Sequence, residues 1–167
     1  MGCVPILSNR THCMKLHHHV AFSATISLFL YMIFKSWYLS LACLISGIFI
    51  DLDHLIDYFR EQGVNVDIKK FFTICENGQF EKVILIFHGW EWIVLCGAIG
   101  WSSGWNPWLT GLFIGLGHHI ALDAFYNGMS IKTYSIIWRW SKGFDFDTTF
   151  PSIAPVKYKY RKSLDRN

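Results

Sequence analysis

Charge is scarce in this chain. Asp, Glu, Lys and Arg make up 16% of its 167 residues, while 52% are hydrophobic and eight are Trp. Those values favour a polytopic membrane protein over a soluble globule. Thiol frameworks are also missing. The five cysteines (Cys3, Cys13, Cys43, Cys75 and Cys96) form no C-x-x-C pair and no even set, which argues against a disulfide scaffold or a thiolate zinc site. No Gly-rich phosphate loop, G-x-S-x-G elbow or internal repeat occurs, and the basic C-terminal stretch is too short to argue for a nucleic-acid partner. Residues 1–13 hold no sustained apolar core and do not read as a signal peptide; Ile6 fails the myristoylation pattern that Gly2 would begin. These residues are expected to be a disordered or mis-assigned extension.

Long apolar runs are what the chain does have. Residues 20–34 and 37–50 are apolar, with a tight reversal at Lys35-Ser36. Each run makes roughly 22 Å of helix against a hydrocarbon thickness of about 30 Å. They are therefore either buried helices of a soluble bundle or membrane helices whose polar ends dip into the bilayer edge. Trp-rich runs downstream favour the second reading. Residues 83–101 form a third run, interrupted by His88 and Glu91 one helical turn apart. Residues 107–126 form a fourth, opened by Pro107 and carrying Gly111 and Gly115 at the G-x-x-x-G spacing that permits close helix approach. Asn127-Gly128 is a helix stop. Between the runs, residues 58–82 read as a peripheral loop with a short amphipathic helix near 68–75, and residues 129–140 suit a membrane-surface helix or loop. The expected fold is all-α: about four transmembrane helices with short peripheral helices. Residues 14–130 form the membrane metal-site domain, followed by an interfacial segment and basic tail over 131–167.

Four spans place both termini and the 51–82 segment on one side. Fourteen of the fifteen Lys and Arg residues then fall there and only Lys35 falls opposite, which makes the crowded side cytoplasmic. His19 (with His17 and His18 beside it), Asp51, Asp53, His54, His88, His118, His119 and Asp123 all gather at that face. Isolated histidines in apolar helices usually pack and hydrogen-bond. This many ionisable groups at one face of a bundle instead points to a bound divalent cation, which would offset the cost of burying the carboxylates. His119 and Asp123, at i and i+4, share a helix face; His118 points about 100° away.

These features resemble the YdjM-like family of bacterial inner-membrane, metal-dependent hydrolases. The resemblance runs over about residues 14–130. It rests on His19 at the mouth of the first helix, the Asp-x-Asp-His motif of Asp51, Asp53 and His54, the mid-chain His88, and Gly117-His118-His119-x-x-x-Asp123. The family's Arg-Gly-x-Thr-His-Ser type stretch at the mid-chain histidine is here Ile86-Phe87-His88-Gly89-Trp90-Glu91. The resemblance implies an inner-membrane hydrolase with termini in the cytoplasm. One or two divalent ions, zinc first and manganese second, would be held by His19, Asp51, His88, His119 and Asp123. His54 and His118, with Asp53, would support them or complete a second site. Glu91, one turn from His88, is expected to act as general base or to hold a ligating histidine, with Asp53 the next candidate base. A site in the cytoplasmic leaflet suggests a lipid or amphiphilic phosphoester or ester. The rival readings are a membrane scaffold with a structural metal, and a metal or proton transporter; the latter lacks ionisable residues along the opposite half of the helices.

Overall fold

Two apolar helices joined at Ser36 begin the molecule. The computed structural model describes residues 16–64, 67–127 and 129–151. The expectations for residues 1–13, Gly128 and the basic tail lie outside the described residues. α1 (Leu16–Phe34) ends at Lys35, whose φ of 50° turns the chain, and α2 (Trp37–Phe49) begins where the Ser36 hydroxyl accepts the Leu39 N–H. α2 does not stop at the first carboxylate. A 3-10 turn (Ile50–Leu52) carries it directly into α3 (Asp53–Gln62), so that Trp37–Gln62 is one helical stretch of 26 residues ended by Gly63. α4 (Ile68–Asn77) is capped by Asp67 and closed by Gly78 in the left-handed region.

The third apolar run differs from its expected form. α5 (Trp90–Ser103) starts seven residues later than hydropathy suggests, and residues 79–89 form an irregular loop, with His88 just ahead of the helix rather than inside it. The cause is local competition for backbone donors. The N–H groups of Ile84 and Leu85 donate to the Asp57 carboxylate and that of Phe87 donates to Asp53, instead of to carbonyls one turn back. α6 (Pro107–Tyr126) matches the fourth run, with Asn106 accepting the Leu109 N–H. A 3-10 turn (Ile131–Tyr134), α7 (Ile136–Ser141) and α8 (Phe146–Thr149) follow. They fold back over the 79–89 loop, to which Lys82 and Asp145 are pinned by an isolated bridge.

The architecture is all-helical, with no strand among the described residues. α2 lies between α1 and α6, and α5 packs on the far side of α6. Gly111 and Gly115 face α2 so closely that added methyl groups would meet the Leu39 carbonyl and the Ser46 hydroxyl. Leu16–Phe34 and Trp37–Gln62 are long and apolar enough to cross a membrane. Of the four expected spans these two meet that condition. α5 is short at 14 residues, and α6, though it has 20, is diluted by Gly111, Gly115, His118, His119 and Asp123.

Candidate metal centre

Four elements bring their polar residues to one place. α1 contributes His19, the turn between α2 and α3 contributes Asp51, the loop before α5 contributes His88, and α6 contributes His119 and Asp123. His88 Nε2 lies 3.2 Å from His119 Nε2, 3.3 Å from Asp51 Oδ1 and 3.4 Å from Asp123 Oδ2. His119 Nε2 lies 3.3 Å from the same Asp51 oxygen and 3.5 Å from the same Asp123 oxygen. Five of the six separations among these four donor atoms therefore lie between 3.2 and 3.5 Å. A tetrahedron of ligands about 2.0–2.1 Å from a zinc ion has edges of about 3.3–3.4 Å.

Hydrogen bonding on the far side of each ring sets what these nitrogens present. His119 Nδ1 donates to the Gly47 carbonyl at 2.8 Å, which leaves a lone pair on Nε2. His88 Nδ1 meets the Asp53 carboxylate at 3.0 Å, which likewise directs the Nε2 lone pair inward. With both rings neutral, two lone-pair nitrogens and two carboxylate oxygens face one another. His88 and His119 are 1% and 0% exposed, so water does not relieve the repulsion. A divalent cation would, and the donor set of two imidazoles and two carboxylates fits one.

The remaining sequence candidates divide. Of the three consecutive histidines, His19 is buried and His17 and His18 are exposed. The His19 ring stacks on His119 with centroids 4.0 Å apart, and its Nε2 is 3.1 Å from Asp123 Oδ1. His54 sits at the rim, its Nε2 4.0 Å from Asp51 Oδ1 and its side chain 31% exposed. Asp53 is buried and accepts from both Phe87 N–H and His88 Nδ1, so it orients His88 rather than facing the centre.

Two candidates stand apart from this donor set. His118, expected to support the metal or complete a second site, is engaged elsewhere. Its Nδ1 donates to the Ile114 carbonyl and its Nε2 accepts the Ser23 hydroxyl at 3.0 Å. Both ring nitrogens are occupied in the packing of α1 against α6. Glu91, expected as general base, serves a structural end: its carboxylate accepts from the Ser135 hydroxyl and from the Ile136 and Ile137 N–H groups at the start of α7.

Sequence reasoning missed two supports. Asp57, fully buried, holds the 84–85 backbone as described above. Arg139 was expected at a membrane surface, yet it is fully buried. Its guanidinium donates to the carbonyls of Leu85, His88 and Thr133, clamping the loop that carries His88. Burial pushes the guanidinium below its ordinary pKa, opposed by the nearby Asp53 and Glu91. The available signal was a lone arginine in the aromatic stretch 134–140; nothing in that stretch says which way it points.

No protein-family model matches the chain, and no curated protein or solved structure does so either.

Proposed function

We propose that this protein is a membrane-embedded, metal-dependent hydrolase of the YdjM-like type, acting on an amphiphilic phosphoester or ester at the cytoplasmic face of a bacterial inner membrane. The observation that carries the reading is the four-donor set of His88, His119, Asp51 and Asp123, with both imidazoles oriented from behind. Zinc suits two nitrogens and two oxygens at this spacing, and manganese is the second choice. A divalent cation bound there would act as a Lewis acid and draw the pKa of a coordinated water toward about 7. The protein's own groups do the rest. Asp53 and the Gly47 carbonyl hold the rings in register. Asp51 is the most accessible of the four donors, its side chain 18% exposed, and so marks the open edge of the site. His54 stands at that edge with its Nε2 toward Asp51, placed to accept or return a proton.

The membrane assignment is supported by the two stretches long and apolar enough to span. It is also supported by the outward-facing side chains of the helices: Phe29, Met32, Trp37, Val94 and Trp101 are all more than half exposed. Four spans with cytoplasmic termini remain the favoured topology. Exposed Phe49, Leu52 and Ile56 flank the Asp51 edge in sequence, which suits a substrate with an apolar body and a polar end.

One consideration favours a structural metal instead: four protein donors on one ion would fill a tetrahedral shell, and closed shells are the mark of structural sites. Against it stands the surplus of His19 and His54, which a four-ligand structural site does not require. Elemental analysis of protein purified in mild detergent without chelators tests the metal itself. We expect about one or more divalent ions per chain, largely lost in His119→Ala and Asp51→Ala; a metal-free wild type overturns the proposal. A panel of phospholipids, isoprenoid phosphates and acyl esters then tests hydrolysis. Metal-loaded protein that turns over none of them leaves the structural reading in place.

A further inference from the structure

We infer that the centre holds a second cation, bound by His19, Asp123 and Asp51, with the Asp123 carboxylate bridging the two positions. The inference rests on the metal-site reading above and extends it. The deciding observation is how Asp123 divides its oxygens. Oδ2 faces His88 and His119 at 3.4 and 3.5 Å, whereas Oδ1 faces His19 Nε2 at 3.1 Å. A carboxylate that turns one oxygen to each of two imidazole groups is arranged to bridge ions about 3.5–4 Å apart.

His19 is suited to a ligand's place. It is 3% exposed, it stacks nearly parallel on His119 with an interplanar angle of 17°, and it stands with Asp51 and His119 in a group whose ligand atoms lie within 4.8 Å of one another. Its Nδ1 is buried without a hydrogen-bond partner among the described residues; unlike in His88 and His119, no acceptor holds the ring proton away from Nε2, so a cation bound at Nε2 would displace that proton. The other contact to Asp123 Oδ1 is the Asn127 side-chain amide at 3.4 Å, long enough to leave that oxygen free to coordinate. His54 is the rival partner for Asp51, but it is farther from its carboxylate, at 4.0 Å, and more exposed.

The two positions differ in a way that matters for chemistry. Four protein donors surround the first. Three serve the second, two of them (Asp123 and the partly exposed Asp51) shared with the first, so coordination positions would remain for solvent or a substrate oxygen. The second position is accordingly where a phosphoryl or acyl group would be engaged, with the first as its rigid neighbour.

Metal content and manganese magnetic resonance test this on the full chain in detergent. Wild type should bind about two ions per chain and, loaded with manganese, give the spectrum of an exchange-coupled pair. His19→Ala and the hydrogen-bonding variant His19→Gln should each bind one and give the pattern of an isolated ion, with helical content unchanged. Asp123→Ala should lose both, and His54→Ala should keep two. A wild type with no metal overturns this inference together with the metal-site reading. If wild type binds one magnetically isolated ion, the four-donor centre stands and the second position falls. The second position falls equally if the His19 variants retain a coupled pair, or if His54→Ala alone removes one ion.

Discussion

Where α1, α2 and α6 meet, many buried residues are small: Ser23, Ser27, Ala42, Cys43, Ser46 and Gly47, with Gly111 and Gly115, beside Leu30 and Leu39. Beneath α3, α4 and α8 the buried residues are large: Tyr58, Ile74, Phe80, Val83, Leu85 and Phe146. The first region turns its bulky apolar side chains outward and the second turns them in. In water, burying aromatic and aliphatic area is the main gain of folding, and the cap around α3, α4 and α8 follows that rule. Between helices surrounded by lipid that gain is absent, and close approach through small residues with interhelical hydrogen bonds replaces it. The Ser40 hydroxyl donating to the Ser27 carbonyl, and Ser23 donating to His118, are bonds of that kind. The candidate metal centre sits where the two regions join.

That contrast can be broken or sharpened by substitution. The largest effect is expected from Arg139→Ala, which removes three hydrogen bonds from the interior of the cap and strands the carbonyls of Leu85, His88 and Thr133. A loss of about 3–5 kcal/mol in denaturant unfolding is expected, with metal affinity weakened roughly 10–100-fold as the His88 loop loosens. A change below about 1 kcal/mol would mean that the cap does not depend on this clamp.

Phenylalanine truncation compares the two regions directly. Phe80→Ala, in the cap core, should cost about 3–4 kcal/mol. Phe29→Ala, 60% exposed on α1, should stay within about 0.5 kcal/mol in detergent. Comparable losses at both positions would show that the outward face of α1 is covered by protein rather than by lipid.

Glycine substitutions probe the bundle more gently. An added methyl at Gly47 would lie 2.5 Å from Ser23 Oγ and 2.7 Å from the His118 ring, so Gly47→Ala should cost about 1–3 kcal/mol by forcing α2 from its neighbours. Gly117, with nothing within 4 Å of such a methyl, should gain about 0.5–1 kcal/mol on the same change. Thermal unfolding of the pair decides whether the small residues of α2 are needed for contact. Glu91→Gln probes the start of α7. Weakening an acceptor at the start of α7 should cost about 1 kcal/mol and leave metal content unchanged. Loss of metal in this variant would return Glu91 to the site.

Much of this was legible before any coordinates. The apolar runs over residues 20–34, 37–50 and 107–126 lie in α1, α2 and α6, and Pro107 opens α6 as expected. Gly111 and Gly115 marked the face of α6 that approaches α2, and the pairing of His119 with Asp123 follows from their spacing. Less legible was the loop before α5. Its residues are apolar enough to be helical, and only the distant carboxylates of Asp53 and Asp57 divert their N–H groups. The roles of Glu91 and Arg139 were hidden for the same reason. Each acts on a backbone segment about 45–55 residues away, a distance over which no local pattern carries information.

What the sequence by itself determined was the apolar stretches that become α1, α2 and α6 and the angle between neighbouring side chains on a helix. Those follow from hydropathy along the chain and from the 3.6-residue period. Only the tertiary structure decided that His119 faces the centre while His118 faces Ser23, and that His19 is buried while His17 and His18 are exposed. The period sets one histidine about 100° from the next, but not the rotation of the whole helix about its axis. That rotation is set by the close contact of Gly111 and Gly115 with α2, which presses one face of α6 inward and carries His119 and Asp123 with it.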